Sequence, residues 1–189
     1  QYVVTASDGT TNTYTVSVNT ITTTGFIITG GSQMFTQYNT LDNSYKSLQI
    51  PNTLFRKIIQ TNTGRLINIG SSSTIEISDD NGISWSSVPS GIVTNLFNDI
   101  AITSTNRIIV AGTSGNILIS DNNGSTWSSV VSGTANNLSA IAINSAGLIA
   151  VGGANSTIIT SSNNGNTWTT RTVPVTIQIS ALVVNALDI

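Results

Sequence analysis

Eight side chains of this chain carry a carboxylate: Asp8, Asp42, Glu76, Asp79, Asp80, Asp99, Asp121 and Asp188. Two facing carboxylates cleave a glycosidic bond when one protonates the leaving oxygen and the other attacks the sugar or activates water. The spacing here argues against that use. Asp79, Asp80 and Asp121 lie in short Asn/Gly segments that read as turns, and Asp42 lies in a degenerate copy of one. Glu76 sits inside a strand-like apolar run. Asp99 stands free of a turn role, and one carboxylate makes no acid–base pair. The chain has no His and no Cys. It lacks the usual general base, the middle member of a Ser-His-Asp triad, thiolates, disulfides and the commonest metal ligand. A calcium ion at Asp79-Asp-Asn81 or Asp121-Asn-Asn123 would want the denser carboxylate spacing of an EF-hand loop, so an uncharged turn network is the better reading. The expectation is a non-enzyme with no cofactor and no metal.

The turns that hold these residues recur. Ser78-Asp-Asp-Asn-Gly-Ile-Ser-Trp85, Ser120-Asp-Asn-Asn-Gly-Ser-Thr-Trp127 and Ser161-Ser-Asn-Asn-Gly-Asn-Thr-Trp168 nearly superpose, with 42 residues from Trp85 to Trp127 and 41 from Trp127 to Trp168. Short apolar runs keep the same register. Lys57–Gln60, Asp99–Ile102 and Ala140–Ile143 come first. Leu66–Gly70, Arg107–Gly112 and Leu148–Gly152 follow, each ending in Gly, and then Thr74–Ile77, Asn116–Ile119 and Thr157–Thr160. The Trp opens a fourth strand. Four short strands per period of about 41 residues make one blade of a β-propeller.

The octapeptide has a physical role in such a blade. The side-chain oxygen at its third position (Asp80, Asn122, Asn163) accepts backbone N–H groups ahead of it. Gly82, Gly124 and Gly165 take a left-handed conformation without a Cβ penalty. Trp85, Trp127 and Trp168 bury a ring while the indole N–H seeks a carbonyl.

The octapeptide resembles the Asp-box, or BNR, repeat, Ser-x-Asp-x-Gly-x-Thr-Trp. Ser78, Asp80, Gly82 and Trp85 fit it with Ser84 in the Thr place. Ser120, Gly124 and Trp127, and Ser161, Gly165 and Trp168, fit it with Asn122 and Asn163 in the Asp place. The resemblance covers about residues 25–185 and implies a propeller whose boxes are folding elements. Sialidases are its enzymatic members. Their activity implies a three-arginine cluster, a Tyr/Glu nucleophile pair and an acid Asp. Among Arg56, Arg65, Arg107 and Arg171, Arg65 and Arg107 share one repeat position, which points to a structural or surface role in each blade, and Glu76 is the only Glu.

Composition narrows the partners. Charged residues are 7% against about 25% in average domains, the net charge is −2, and hydrophobic residues reach 39%. No basic patch exists for a phosphate backbone, so nucleic acid is not an expected partner. No apolar run reaches bilayer length, so membrane insertion is not expected either. Asn123-Gly-Ser, Asn137-Leu-Ser and Asn155-Ser-Thr fit the glycosylation pattern, which chance alone produces in a chain this rich in Asn and Ser.

The expected organisation is a β-hairpin over 1–20 with Asp8-Gly9 at its turn, similar to the last hairpin of the cadherin-like or Ig-like modules of bacterial surface proteins. Blades follow over about 25–51, 52–92, 93–135 and 136–176, and 177–189 supplies the first strand of a closing or further blade. The first blade is degenerate: Tyr45 takes the Trp place and the box Gly is missing. The repeat fits either a closed four-bladed ring or a piece of a larger propeller. A start at Gln1 without Met reads as a processed chain or a fragment.

In a propeller the box turns lie on one face, and the loops between strands two and three lie on the other with the links between blades. The second face is where ligands meet the resembling families. Here it offers hydroxyls and amides, with Asn95-Leu-Phe97 as its sizeable apolar feature, so Asn95 and Phe97 are the candidate ligand contacts. The expected function is an extracellular or cell-surface module, bacterial or on a virion, that binds a glycan or protein surface. The rival is a structural subunit of a filament, sheath or viral fibre that self-associates through its terminal strands.

Overall fold

The computed structural model describes residues 56–185 other than 94 and 172, and ahead of them only the strand backbone of 2–5, 11–14, 24–27, 34–39, 45–49 and 55. Two early strands, β1 (Tyr2–Thr5) and β2 (Thr11–Tyr14), pair antiparallel with Tyr2 opposite Tyr14, and the expected Asp8-Gly9 turn lies outside the described residues. Next come β3 (Thr24–Ile27), β4 (Met34–Asn39) and β5 (Tyr45–Gln49), a three-stranded sheet called sheet I.

Three four-stranded sheets follow, each in simple chain order. Sheet II holds β6 (Phe55–Gln60), β7 (Leu66–Gly70), β8 (Ile75–Ser78) and β9 (Ser86–Ser87). Sheet III holds β10 (Phe97–Ile102), β11 (Ile108–Gly112), β12 (Ile117–Ser120) and β13 (Ser128–Val130). Sheet IV holds β14 (Leu138–Ile143), β15 (Ile149–Gly153), β16 (Ile158–Ser161) and β17 (Thr169–Arg171). All pairings are antiparallel.

Strand alternation explains why these sheets stack. In sheet II, Ile67, Ile69 and Ile75 point one way and meet Ile108, Val110 and Leu118 of sheet III. From the other face of sheet III, Ile109, Ala111 and Ile117 meet Ile149, Val151 and Ile159 of sheet IV. Almost all of these side chains are fully removed from water. Both faces of β11 and β15 are therefore apolar, which is why they read as unbroken hydrophobic runs and not as alternation, while β7 carries the buried Asn68 on its other face. Sheets meeting face to face in series, each folded up and down, form the blades of a propeller arc.

Each first strand begins two residues earlier than the apolar runs indicate, because a β-bulge interrupts it. The register shifts between Phe55 and Lys57, between Phe97 and Asp99, and between Leu138 and Ala140. The bulge brings the incoming chain against the end of the second strand. A Cβ at Gly112 would lie 2.4 Å from the Leu96 carbonyl oxygen, and one at Gly153 would lie 1.9 Å from that of Asn137. The Gly that ends the second strand is thus a packing requirement.

Each loop between strands two and three is a two-residue turn. Its central residues are Ser72-Ser73, Ser114-Gly115 and Asn155-Ser156, all with φ between 53° and 70°. Such primed turns match strand twist but favour Asn-Gly. Ser and Asn in both positions hold mild strain, offset by new bonds. The Ser73 N–H donates to the Asn95 carbonyl at 2.7 Å, and that of Ser156 to the Ile177 carbonyl at 2.7 Å. The same serine hydroxyls accept the N–H of Asn95 and Ile177. The turn of one sheet fastens the chain that leads into the next.

Candidate functional site

The octapeptides form one rim. In the first, the Ser78 hydroxyl donates to Asp80 Oδ1 at 2.8 Å and accepts the Gly82 N–H at 2.7 Å. Asp80 also accepts the Ser84 N–H at 2.9 Å and the Ser84 hydroxyl at 2.6 Å. These bonds, the Ser84 hydroxyl foremost, push the Asp80 carboxyl down to about 2 from an ordinary 3.8. In the second and third copies the amides of Asn122 and Asn163 keep the geometry by reversing one bond. Their Oδ1 accepts the N–H of Thr126 at 2.9 Å and of Thr167 at 3.0 Å, while their Nδ2 donates to the threonine hydroxyls at 2.8 Å. A hydroxyl both donates and accepts, which is why Asn substitutes for Asp here.

Gly82, Gly124 and Gly165 have φ of 85°, 79° and 81°, and the Asn before each is also left-handed, a feature the sequence reading did not anticipate. Gly124 has a second reason to be Gly: a Cβ there would lie 2.6 Å from Ile67 Cδ1 of the preceding sheet. The indole N–H of Trp85 donates to the Gly82 carbonyl and that of Trp127 to the Gly124 carbonyl, each at 3.1 Å. Trp168 differs: its buried N–H has no partner among the described residues.

Two arginines clamp neighbouring sheets along this rim. Arg65 holds Asp79 through Nε at 2.6 Å and Nη2 at 2.8 Å, and its Nη1 donates to the Asn123 carbonyl at 3.0 Å and to the Ser125 hydroxyl at 2.9 Å. The paired guanidinium holds the Asp79 carboxyl below its ordinary range. Arg107 repeats this one sheet on, with Asp121 at 2.6 and 2.8 Å, the Asn164 carbonyl at 3.0 Å and the Asn166 side chain. Thr63 and Thr105 hydroxyls accept from Asn123 and Asn164, each at 2.8 Å. The shared repeat position of the two arginines is structural, and the carboxylates considered for calcium are already bonded within the rim.

Asp99 is not free either. It is buried on the innermost strand of sheet III and paired with Lys57 of sheet II. It also accepts the N–H of Ile100 at 2.9 Å and of Ile141 in sheet IV at 2.6 Å. One carboxylate ties three sheets. Glu76 is buried beside Asn68, whose Nδ2 donates to it at 3.3 Å. The repeat puts Leu118 and Ile159 where sheet II has Glu76, and Val110 and Val151 where it has Asn68.

The opposite face bears the turns between strands two and three and the links between sheets. Two grooves occupy equivalent places there. One, of about 470 Å³, runs from Ser72–Thr74 past Ser87–Val93. Its counterpart, of about 380 Å³, runs from Gly115–Asn116 past Ser129–Thr134. Buried Ser90 and Ser132 shape the two links alike, their hydroxyls each bonded to the backbone two residues ahead. The side chains that stand out of these grooves are Val93, 80% exposed, and Val131, 87% exposed.

Phe97 is a correction to the sequence reading. It is 0% exposed and belongs to the core between sheets II and III, so it presents nothing to a ligand. It begins the bulged strand β10 and fills the space beside Gly112. Asn95 is half-buried, with its backbone spent on Ser73. The paired grooves were the signal missed, and the repeated Ser-Gly of the links (Ser90-Gly91, Ser132-Gly133) would have marked them.

A scan against protein-family models finds no match, and a search of curated proteins finds none. Solved structures do resemble the chain. Virginiamycin B lyase from Staphylococcus aureus is 13% identical with a TM-score of 0.67 over 91% of this chain and 55% of that one. YCF48 bound to D1 peptide is 13% identical with a TM-score of 0.57 over 85% and 57%. An ancestral GH74 enzyme is 17% identical with a TM-score of 0.60 over 80% and 25%. The fold is that of a β-propeller. The propeller likeness carries no function at these identities, and the chain spans between 25% and 57% of these neighbours' lengths. Among the described residues no helix is long and apolar enough to cross a membrane.

Proposed function

We propose that the chain is a non-catalytic recognition module whose link face binds a glycan or a protein surface. The observation that carries this is the repetition of one groove in two sheets, lined mainly by Ser, Thr and Gly, with Val88, Pro89, Ile92 and exposed Val93 in one and Val130 and exposed Val131 in the other. Hydroxyl-lined grooves with small apolar patches suit sugar rings or a polar protein surface, and repetition adds avidity for a repetitive ligand. The engagement of the described carboxylates supports recognition over hydrolysis. Asp79 and Asp121 hold arginines, Asp80 closes a turn, and Asp99 joins three sheets. The rim octapeptides support the Asp-box reading of the sequence, with a folding role. An extracellular or cell-surface setting on a bacterium or virion goes with this proposal.

The test is binding of the native protein to arrayed glycans and matrix proteins, run beside hydrolysis of fluorogenic glycosides and sialosides. Saturable binding with no turnover is the expected result. Turnover, or no binding to any arrayed surface, would overturn the proposal.

A further inference from the structure

The chain holds three Asn-Gly pairs, Asn81-Gly82, Asn123-Gly124 and Asn164-Gly165, one in each octapeptide. An asparagine side chain reacts most readily with its own backbone when Gly follows, because no Cβ shields the attacking nitrogen. The three copies share nearly one backbone. The asparagines have φ of 60°, 59° and 59°, and the glycines 85°, 79° and 81°. In each copy the Gly N–H donates to the first serine hydroxyl, at 2.7 Å to Ser78 and at 2.9 Å to Ser120 and Ser161. Within the octapeptide the reaction is therefore restrained alike in all three.

The ties to the preceding sheet are unequal. Asn123 Nδ2 donates to the Thr63 hydroxyl at 2.8 Å, and the Asn123 carbonyl accepts Arg65 Nη1 at 3.0 Å. Asn164 is held in the same way by Thr105 at 2.8 Å and Arg107 at 3.0 Å. Both residues are half-buried. For Asn81 neither bond is found among the described residues, and the residue is exposed.

We propose that Asn81-Gly82 is a self-modification site, which deamidates ahead of the two other pairs. The Gly82 nitrogen loses its proton to hydroxide and bonds to Asn81 Cγ. The Cγ–Nδ2 bond breaks, and the amide nitrogen takes a proton from water and leaves as ammonia, closing a five-membered succinimide. A second water opens one of the two ring carbonyls. One opening leaves aspartate at position 81, and the other leaves isoaspartate. The ring closes only after the octapeptide opens locally and the amide swings onto the Gly nitrogen. Each bond that must break first slows opening by roughly two- to tenfold, so two bonds place Asn123 and Asn164 about tenfold behind Asn81. Aspartate there adds a charge beside Asp79 and Asp80. Isoaspartate lengthens the main chain within the turn, so the bonds from Ser78 to Gly82 and from Asp80 to Ser84 cannot both be kept. The mark falls on the octapeptide of sheet II alone. It goes beyond the binding proposal, lies on the opposite face and does not depend on it.

The native protein is held in mildly alkaline buffer, digested at intervals and mapped by mass spectrometry, with fragment ions assigning each asparagine. A parallel sample in urea reports the three pairs with the fold removed. The proposal predicts conversion at Asn81 about tenfold ahead of Asn123 and Asn164 in the native protein, and equal conversion in urea. Thr63→Val frees the Asn123 amide, and in a variant shown by its melting to be folded it should speed Asn123 by roughly two- to tenfold while leaving Asn164 unchanged. The native comparison needs no substitution. Equal native rates at the three pairs, the same preference in urea, or a Thr63→Val effect on all three pairs or on none would each overturn it.

Discussion

The junction between sheets III and IV and the far side of sheet IV are built from the same repeat and hold together by different means. At the first, Ile109, Ala111 and Ile117 stack on an aliphatic wall, Arg107 clamps the rim, and Asp99 catches the Ile141 N–H on the inner strand. At the second, the matching residues are Ala150, Gly152 and Ile158, then Leu148, then Ala140. All three devices are weakened or gone together. The difference teaches that the sheets are only a few residues wide, and that the contacts between them carry the fold. Between sheets II and III and between sheets III and IV, the stacked core and the arginine clamp are both present. Where 177–185 crosses the face, small residues make room for it.

The largest effect that would break this comparison is in the stacks. Ile117→Ala should cost about 2–5 kcal/mol, as for a fully buried isoleucine, in urea unfolding. Ile158→Ala, at the matching place on the far face, should cost less. Equal costs would mean that the far face is as closed as the inner junctions. Asp99→Ala should follow at about 2–4 kcal/mol, because it strands the N–H groups of Ile100 and Ile141 and leaves Lys57 unpaired. Arg107→Ala should cost about 1–2 kcal/mol through its lost bonds to Asp121 and the next octapeptide. Installing the clamp with Leu148→Arg and Ser162→Asp should change stability by under about 0.5 kcal/mol, since among the described residues no octapeptide lies against sheet IV to receive it. A gain like that expected of Arg107 would place a box-bearing sheet there.

The smallest effect sharpens the comparison among the octapeptides. Asp80→Asn recreates the Asn122 arrangement and should leave neutral stability nearly unchanged. The native carboxyl lies at about 2, below its ordinary 3.8. A depressed carboxyl favours the folded state above the ordinary value and loses that contribution as pH falls through the folded one. Unfolding midpoints between about pH 4 and 2 should therefore drop less steeply in Asp80→Asn than in the native protein, with Asp79 supplying part of the remaining slope.

The period, the four-strand blade and the octapeptide turn were legible because each rests on local chemistry: short apolar runs, a side-chain oxygen two residues before the Gly, a Gly that must be left-handed. The bulge before Asp99 was not legible, since nothing in Phe97–Ile100 marks an extra residue until Leu96 is seen crowding Gly112. That omission also misplaced Phe97, which looked like an exposed loop aromatic and is a core residue. The tie made by Asp99 spans 42 residues in either direction, and no local pattern shows it. Trp168 looked identical to its counterparts, yet its N–H lacks their carbonyl partner among the described residues.

The central claim is that recognition belongs to the link face while the octapeptide face serves folding. The direct measurement is binding to the arrayed surface that the native protein prefers, by a Val93→Ser/Val131→Ser variant and by Ile83→Ser, an exposed apolar change on the octapeptide face. The account predicts at least a tenfold loss for the groove variant, equivalent to about 1.4 kcal/mol, and native binding for Ile83→Ser. Native binding by the groove variant, or loss with Ile83→Ser, would contradict it.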